Sequence, residues 1–166
     1  ARLDCHDAVV GPKVYSHGSD GQSRSGSHAK YGLRPGAGKM RRTLALVVPS
    51  LHQGGGVPAV ARFVWDTLHR DGRWDVRPIS LCMASDDPES TSLVNPASVF
   101  RGPRVGQRMW MGREVPHVGA RFGELEFQRY RPRRPLMNLL RDSDVVQVVC
   151  GSPAWANAVI GLGKPV

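Results

Sequence analysis

The chain has 166 residues, 40% of them hydrophobic, and its 23 lysines and arginines against 14 aspartates and glutamates give a formal net charge of +9. This length is enough for one domain with a real core but not for two full domains. The three cysteines (Cys5, Cys82 and Cys150) form no CxxC pair and lie far apart, so they indicate neither a disulfide framework nor a zinc site. We therefore predict a soluble globular protein of a reducing, cytoplasmic compartment, with no metal and no resident cofactor.

The positive charge raises the question of a nucleic-acid partner, because clustered lysine and arginine neutralise phosphate. The arginines concentrate in residues 129–134 (RYRPRR) and are otherwise dispersed, without an RNA-binding sheet motif, a zinc knuckle or a basic heptad helix. We therefore expect no nucleic-acid partner. A solvated face, an anionic small molecule and an anionic membrane surface remain the alternative explanations. No stretch approaches the roughly 18 to 20 consecutive apolar residues that a transmembrane helix needs.

Residues 1–39 differ in composition from everything that follows. They are rich in glycine, serine, histidine and charge, and they show neither helical nor strand periodicity. We predict a disordered or non-native N-terminal extension there, followed by a globular domain over residues 40–166.

The globular part opens with a predicted strand over residues 43–48, an unbroken apolar run typical of a strand that is buried on both faces of a parallel sheet. Apolar residues then recur at helical spacing from Val57 to Leu68, with Pro58 suited to the first turn. The predicted helix ends near Gly72. Between the strand and the helix stand three consecutive glycines: Gly54, Gly55 and Gly56.

The middle of the chain gives a second predicted strand over residues 75–82. Pro78 within it favours an edge position, because proline cannot donate a hydrogen bond to a neighbouring strand. Residues 83–96 predict a long polar loop. Residues 99–112 predict only turns and a short helix, and residues 114–118 predict a short strand.

The last part of the chain alternates helix and strand again. Residues 134–141 predict a helix and residues 143–150 another buried strand. A further helix follows, with Ser152 as its N-terminal cap and Gly161 or Gly163 at its end. The final Lys-Pro-Val has the pattern of a strand's first residues.

Alternating strands and helices with short links predict an α/β fold with a doubly wound parallel sheet, of the Rossmann-like kind. Because the chain stops where another strand would open, we expect one incomplete domain over residues 40–166, truncated at its C-terminus.

Two strand-to-helix corners of this predicted sheet are candidate binding sites, because ligands of such sheets collect outside the carboxyl ends of the strands. Gly54 to Gly56 form one corner, and Cys150 to Pro153 form the other. Each offers unpaired backbone N–H groups and the positive end of a helix to an anion or a sugar hydroxyl. A tight turn without a ligand is the alternative explanation of the glycines.

The glycines do not predict a nicotinamide cofactor. Gly54, Gly56 and Ala59 satisfy only the permissive GxGxxA form of the dinucleotide motif. The acidic residue that should end the second strand is missing, since Leu81-Cys82-Met83 stands there.

The segment ALVVPSLHQGGGVPAVARFVWDTLHRDGRWDVRPISL, residues 45–81, resembles the opening of family 4 glycosyltransferases of the two-domain GT-B fold. Gly55, Gly56, Val57 and Pro58 match the turn of that family. The segment DSDVVQVVCGSPAWANAVIGLGKPV, residues 142–166, is similar to the later strand, turn and helix of the same N-terminal half. The resemblance covers about residues 40–166.

The resemblance implies the N-terminal, acceptor-side half of a retaining hexosyltransferase. Such an enzyme transfers a sugar from a nucleotide-sugar donor to a sugar, lipid or small-molecule acceptor, and its glycine-rich turn admits the donor's diphosphate at the interdomain cleft. The family's donor-binding half is absent from this chain, so we expect the fragment to be inactive alone. Many relatives carry a histidine around the end of the strand predicted over residues 143–150, where this chain has none, so no catalytic residue is assigned.

Residues 119–134 mix charged and aromatic side chains just after a predicted strand end, and they are the candidate acceptor pocket. Arginine suits bidentate contacts with phosphate or carboxylate, and aromatic rings pack on sugar faces. The candidate acceptor contacts are Arg121, Glu124, Arg129, Ser152 and His117. A surface loop with ion pairs is the alternative for the segment, and a structural role is the alternative for His117. A basic acceptor half would also suit peripheral contact with anionic lipids at the inner face of the membrane.

A non-catalytic nucleotide-binding or adaptor α/β domain is the alternative function from another class. A gene that continues past Val166 into a second Rossmann-like half with a glutamate-rich donor motif would favour the transferase. An immediate stop codon would favour the adaptor.

Overall fold

The computed structural model describes residues 41–166. The predicted disorder or non-native origin of residues 1–39 concerns a segment that lies outside the described residues.

The described residues form one five-stranded sheet with the order β3-β4-β2-β1-β5. β1 pairs in parallel with β2 on one side and with β5 on the other, and β2 pairs in parallel with β4. β3 pairs antiparallel with β4. The strands are β1 (Arg42–Pro49), β2 (Trp74–Leu81), β3 (Val105–Trp110), β4 (Arg113–Val118) and β5 (Val145–Val148). The α/β prediction is confirmed and is consistent with a Rossmann-like fold, but the sheet is mixed rather than wholly parallel.

In the described residues four helical segments lie between strands, and a fifth follows β5. The first, α1, follows the glycines and ends at Gly72, whose left-handed backbone (φ 69°) turns the chain out of the helix. The segment after Ser152 is a 3₁₀ helix rather than a longer α-helix, although Ser152 caps it as predicted. The segments are α1 (Gly56–Asp71), α2 (Pro96–Arg101), α3 (Glu126–Arg129), α4 (Arg134–Leu140) and the 3₁₀ helix (Pro153–Val159).

Helices pack on both faces of the sheet because successive residues of β1 point to opposite sides. Leu46 lies with Ala61 and Trp65 of α1 in one buried cluster. Val47 lies in the other cluster, with Leu136 of α4 and the 3₁₀-helix residue Trp155. β1 is therefore covered on both faces, which explains the unbroken apolar run that predicted it.

Pro78 does not place β2 at an edge, because β2 lies between β4 and β1. The proline is tolerated because β4 pairs only with Ser80 and Leu81, the last two residues of β2. At Pro78 the strand therefore has one neighbour, in register with Leu46 of β1.

The sequence predicts β4 as a short strand but does not predict β3, its partner in a hairpin. The expected short helix begins earlier, since α2 spans Pro96–Arg101 and only its end falls within residues 99–112, and the rest of that segment supplies β3. Met111 and Gly112 join the strands with positive φ values of 51° and 74°. Positive φ at both residues of a two-residue loop is typical of a type I′ turn, whose twist matches that of a β-hairpin. Such turns usually have Asn or Asp at the first position, and Met-Gly lacks this signal.

The last residues lie beside β5. Lys164 to Val166 are not assigned to a strand, but the backbone N–H of Val146 donates to the carbonyl of Pro165 at 3.0 Å. In the part of the chain that the structure describes, no helix is long and apolar enough to cross a membrane.

Candidate functional site

The loops that follow β1, β2, β4 and β5 meet at one edge of the sheet, because these four strands run parallel. Ligands of open α/β sheets bind outside this carboxyl edge. All the site residues predicted from the sequence except Arg129, which lies in α3, belong to these loops or to strand and helix ends beside them.

The glycine turn lies at the carboxyl end of β1. Gly55 has φ 132°, a backbone conformation that only glycine adopts without strain, and it precedes the first residue of α1 without a capping side chain. Gly54 and Gly56 have no positive φ, and a Cβ on either would meet no atom within 4 Å. Packing within the described residues therefore does not require glycine at Gly54 or Gly56.

The turn after β5 lies against the start of α1. A Cβ at Gly151 would sit 3.7 Å from a methyl group of Val57. The Ser152 side chain accepts a hydrogen bond from the backbone N–H of Ala154 at 3.4 Å, so its hydroxyl caps the 3₁₀ helix. The structure thus brings Ser152 and the glycine turn together, as the sequence predicts for neighbouring parallel strands.

His117 lies in β4, is fully buried and has both ring nitrogens hydrogen bonded. Its Nδ1 lies 3.0 Å from the hydroxyl of Ser80, and its Nε2 lies 3.2 Å from a carboxylate oxygen of Asp87. Asp87 also accepts from the guanidinium of Arg108 at 3.0 Å. His117 therefore holds Asp87 in place, and in this arrangement it presents no unengaged ring nitrogen to an acceptor.

Burial sets the protonation of this group. It lowers the pKa of His117 below its ordinary value, and the nearby carboxylate of Asp87 only partly opposes that. For Asp87, partial burial by itself would raise the pKa. The hydrogen bond from the backbone N–H of Glu89 and the interactions with His117 and Arg108 together have a larger effect, so the pKa of Asp87 is lowered. A neutral His117 then donates from Nε2 to ionised Asp87 and accepts from Ser80 at Nδ1.

A small cleft of about 220 Å³ opens beside this group, between the ends of β1 and β2. Its lining includes Ser50, His52 and Asp87. The ring of His52 stands edge-on to that of His117, with 5.0 Å between centroids. Ligand atoms of Cys82, Asp87 and His117 lie within 4.8 Å of one another, but His117 and Asp87 already bond each other, so the grouping by itself does not define a metal site.

The loop after β2 passes very close to the end of β4. A Cβ at Gly119 would sit 1.9 Å from the backbone oxygen of Glu89, which no side chain could accommodate without a shift of the backbone. Gly119 therefore lets residues 82–95 lie directly over the sheet edge, and this contact places Asp87 above His117.

Arg133, the residue before α4, connects the carboxyl ends of β2 and β4 through hydrogen bonds. It is 3% exposed, and its guanidinium donates to four backbone carbonyls: Val118 (3.1 Å), Gly119 (3.0 Å), Cys82 (3.2 Å) and Arg129 (2.9 Å). Its Nε is buried without a hydrogen-bond partner in the described part of the chain. Burial lowers the pKa of Arg133 to about 10, which still leaves it charged at neutral pH.

Above Arg133 lies a cavity of about 610 Å³, here called the arginine cavity. It is lined by Arg101 from the end of α2, Arg121 from the loop after β4 and Arg134 from the start of α4, with Arg133 at its base. A second small cavity shares Asp87 with the cleft and Arg101 with the arginine cavity. The three openings therefore adjoin along the carboxyl edge.

The predicted acceptor residues do not form one group. Arg121 lines the arginine cavity, with its guanidinium 5.6 Å from the ring of Phe122. Glu124 instead accepts from the hydroxyl of Ser92 at 2.5 Å, a bond that lowers the pKa of Glu124. Arg129 donates to the carbonyl of Gly123 at 2.7 Å. Glu124 and Arg129 thus shape the loops around the site, while Arg121 faces the cavity.

Sequence reasoning missed Arg101, and it included Arg133 and Arg134 only within the candidate segment 119–134, not as named contacts. The only signal was the dense run RYRPRR, which contains two of them. Nothing local distinguishes Arg133, which is buried, from Arg134, which lines the cavity, because the difference depends on where α4 begins.

Comparisons of the chain with protein-family models, with curated proteins and with solved structures find no match. The geometry of the carboxyl edge and the resemblance in residues 45–81 and 142–166 are therefore the basis for the functional inference.

Proposed function

We propose that residues 40–166 form the acceptor-side domain of a retaining glycosyltransferase of the GT-B type, with a doubly wound, Rossmann-like sheet. The observation that carries the proposal is the position of the glycine turn. β2 and β4 lie to one side of β1 and β5 lies to the other, so the strand order reverses beside β1. Ligands of open α/β sheets bind at such a reversal.

The open space around the glycines supports a ligand role for them. Apart from the adjacent residues of the chain and the backbone of α1 itself, no atom of the described residues lies within 4 Å of a Cβ at Gly54 or Gly56, so a side chain there would point into open space. A nucleotide-sugar diphosphate could occupy that space, with its oxygens near the uncapped N-terminus of the 16-residue helix α1. Glycine at these positions keeps the approach clear and leaves the N–H groups accessible.

The acceptor has room on the other side of the same edge. The small cleft between β1 and β2 is lined by polar groups such as Ser50, His52 and Gln53, which suit the hydroxyl groups of a sugar. The donor-binding half of a GT-B enzyme is a second Rossmann-like domain, and residues 41–166 contain one sheet only. The proposed activity therefore requires a second Rossmann-like domain in addition to residues 41–166.

Glycine variants of the full-length gene product test the proposal. We expect Gly54→Val and Gly56→Val each to lower sugar transfer by about tenfold or more, because the new side chain occupies the space proposed for the diphosphate. The free energy of unfolding should change by no more than about 1 kcal/mol, since neither position is packed. The measurement is transfer from a panel of nucleotide sugars, followed by urea unfolding of the same proteins.

Thr67→Val is the matched control, because it adds the same side chain to the exposed side of α1, away from the turn. It should leave transfer unchanged. Wild-type transfer in both glycine variants would overturn the assigned role of the turn. Nucleotide binding without transfer from any donor would overturn the transferase and favour a non-catalytic nucleotide-binding domain.

A further inference from the structure

The arginine cavity has more positive charge than its described surroundings compensate. Arg101, Arg121 and Arg134 reach it from three separate segments of the chain. Among residues 41–166, none of these three arginines is within ion-pair distance of a carboxylate, and no aspartate or glutamate lines the cavity. All three side chains are exposed to solvent, and because like charges repel, an anion held between them would lower that repulsion.

The base of the cavity adds a fourth positive charge. Arg133 is 3% exposed, and in the described part of the chain its guanidinium donates to four carbonyl oxygens rather than to a carboxylate. A buried cation without a counter-ion is costly, and carbonyl dipoles offset only part of that cost. Its Nε is also buried without a partner. An anion above Arg133 would compensate the charge of the guanidinium from the open side.

The shape of the cavity favours a phosphate over a carboxylate. One arginine satisfies a planar carboxylate by two parallel hydrogen bonds, whereas a tetrahedral phosphate presents oxygens in several directions and accepts from several arginines at once. The volume of about 610 Å³ falls within the range of small-molecule sites. Pro103, Pro132 and Pro135 line the walls and restrict the backbone that carries the arginines.

We propose that the arginine cavity binds a phosphate monoester through Arg101, Arg121 and Arg134. The assignment of this phosphate to the acceptor rests on the glycosyltransferase function proposed above. On that basis the acceptor is a phosphorylated compound whose hydroxyl lies along the carboxyl edge toward the glycine turn. The binding site itself stands on the cavity alone.

Calorimetric titration of the intact protein with inorganic phosphate tests the site. We expect Arg121→Gln and Arg134→Gln each to weaken phosphate binding by about tenfold, the effect of losing one charge-assisted contact. Arg70→Gln, which removes the same charge from exposed α1, should change the Kd by less than about twofold. Sodium acetate at matched ionic strength should bind much more weakly than phosphate.

The outcomes separate a built site from general attraction. Equal weakening by Arg70→Gln and Arg121→Gln, or no weakening in either cavity variant, would overturn the site. Thermal unfolding of each variant without phosphate shows that the protein is folded, so a loss of binding cannot be confused with a loss of structure. A soluble hexose phosphate and vesicles of phosphatidylcholine with phosphatidic acid carry the same group, and the stronger arginine-dependent binding identifies its source.

Transfer assays on the full-length gene product test the acceptor assignment separately. Transfer to a phosphorylated acceptor that falls by about tenfold in Arg121→Gln, with no transfer to the dephosphorylated compound, supports it. Phosphate binding that depends on Arg121 combined with transfer that ignores the acceptor's phosphate would overturn the acceptor assignment and leave the transferase standing. Phosphate binding without any transfer would instead overturn the transferase proposal and leave the anion site standing.

Discussion

His117 is a buried side chain that positions the carboxylate of Asp87 beside the small cleft. The sequence places it at the end of a strand that faces the predicted cleft, which made it a candidate acceptor contact. Its ring nitrogens are instead engaged by Ser80 and Asp87, and Asp87 extends the chain of contacts to Arg108. A residue that looks like a ligand contact thus acts as a positioning residue for the carboxylate at the cleft.

The lowered pKa of His117 predicts a stability that falls at acid pH. The unfolded chain protonates this histidine near its ordinary pKa of about 6.5, whereas the folded chain does so only at a lower pH. The folded state is therefore fully favoured above pH 6.5, and its stability declines as the pH falls toward the folded-state pKa. The decline is at most about 1.4 kcal/mol per pH unit.

Urea unfolding of wild type and His117→Gln at several pH values measures this effect. The glutamine amide still donates to Asp87 but does not titrate, so this variant should lack the decline that begins near pH 6.5, while the decline at lower pH from the carboxylates of Asp87 and Glu124 remains. His69→Gln, which removes an exposed histidine of α1, should keep the decline that begins near pH 6.5. Identical pH profiles for wild type and His117→Gln would contradict the prediction, as would an NMR titration in which His117 protonates above pH 6.5.

At the scale of elements, the hairpin of β3 and β4 depends on a turn whose residues are unusual. Met111 adopts φ 51°, a left-handed conformation that costs energy for a residue with a side chain of this size. Asparagine tolerates that conformation and is preferred before glycine in such turns. We therefore expect Met111→Asn to raise the free energy of unfolding by about 0.5 to 1 kcal/mol.

Met109→Asn is the matched control for the hairpin prediction. Met109 is 59% exposed but lies within β3, where asparagine is disfavoured, so this change should give no stabilisation. Urea unfolding of the two variants beside wild type compares them. A Met111→Asn protein less stable than wild type would show that the methionine side chain stabilises the turn by other contacts.

Elements with strong local signals were predictable, and those that depend on distant partners were not. The apolar run of β1 predicted a strand buried on both faces because each face meets its own helix. β3 carries polar and exposed residues with a methionine at its turn, so only its pairing with β4 identifies it as a strand. Pro78 is a second case. The sheet accommodates a proline inside β2 because β4 pairs only with the last two residues of that strand, and this pairing cannot be read from the local sequence.

At the scale of the whole molecule, stability is concentrated in the two clusters on either face of the sheet. Leu46 is fully buried in the cluster under α1, whereas Phe100 of α2 is 93% exposed. We expect Leu46→Ala to lower the free energy of unfolding by about 2 to 5 kcal/mol, through lost burial and a cavity. Phe100→Ser should change it by no more than about 0.5 kcal/mol.

Urea unfolding also distinguishes these two variants. If Phe100→Ser lowered the free energy of unfolding as much as Leu46→Ala, Phe100 would have to be covered by residues outside the described part of the chain. An unchanged Leu46→Ala protein would contradict the two-faced core.

The sequence could predict only those parts of the candidate site whose position follows from the direction of the strands. Parallel strands place their carboxyl ends together, so the sequence correctly brought the glycine turn and Ser152 to one edge. The arginine cavity is assembled from the end of α2, the loop after β4 and the start of α4, and no spacing rule relates Arg101 to Arg121 or Arg134. Its components were therefore visible in the sequence as charge, but their convergence was not.

The ion pair between Arg108 and Asp87 lies beside the edge of the sheet and bears on strand addition by other chains. β3 is the last strand at one side of the sheet, and such a strand is a template on which another chain can add its own. Arg108 turns a charge inward from this strand, and a chain that stacked against it would have to bury or break the pair with Asp87. On the opposite side, the contact of Pro165 with Val146 occupies part of the margin of β5. Within the described residues we therefore expect both edge strands of the sheet to be poor templates for the addition of a strand from another chain.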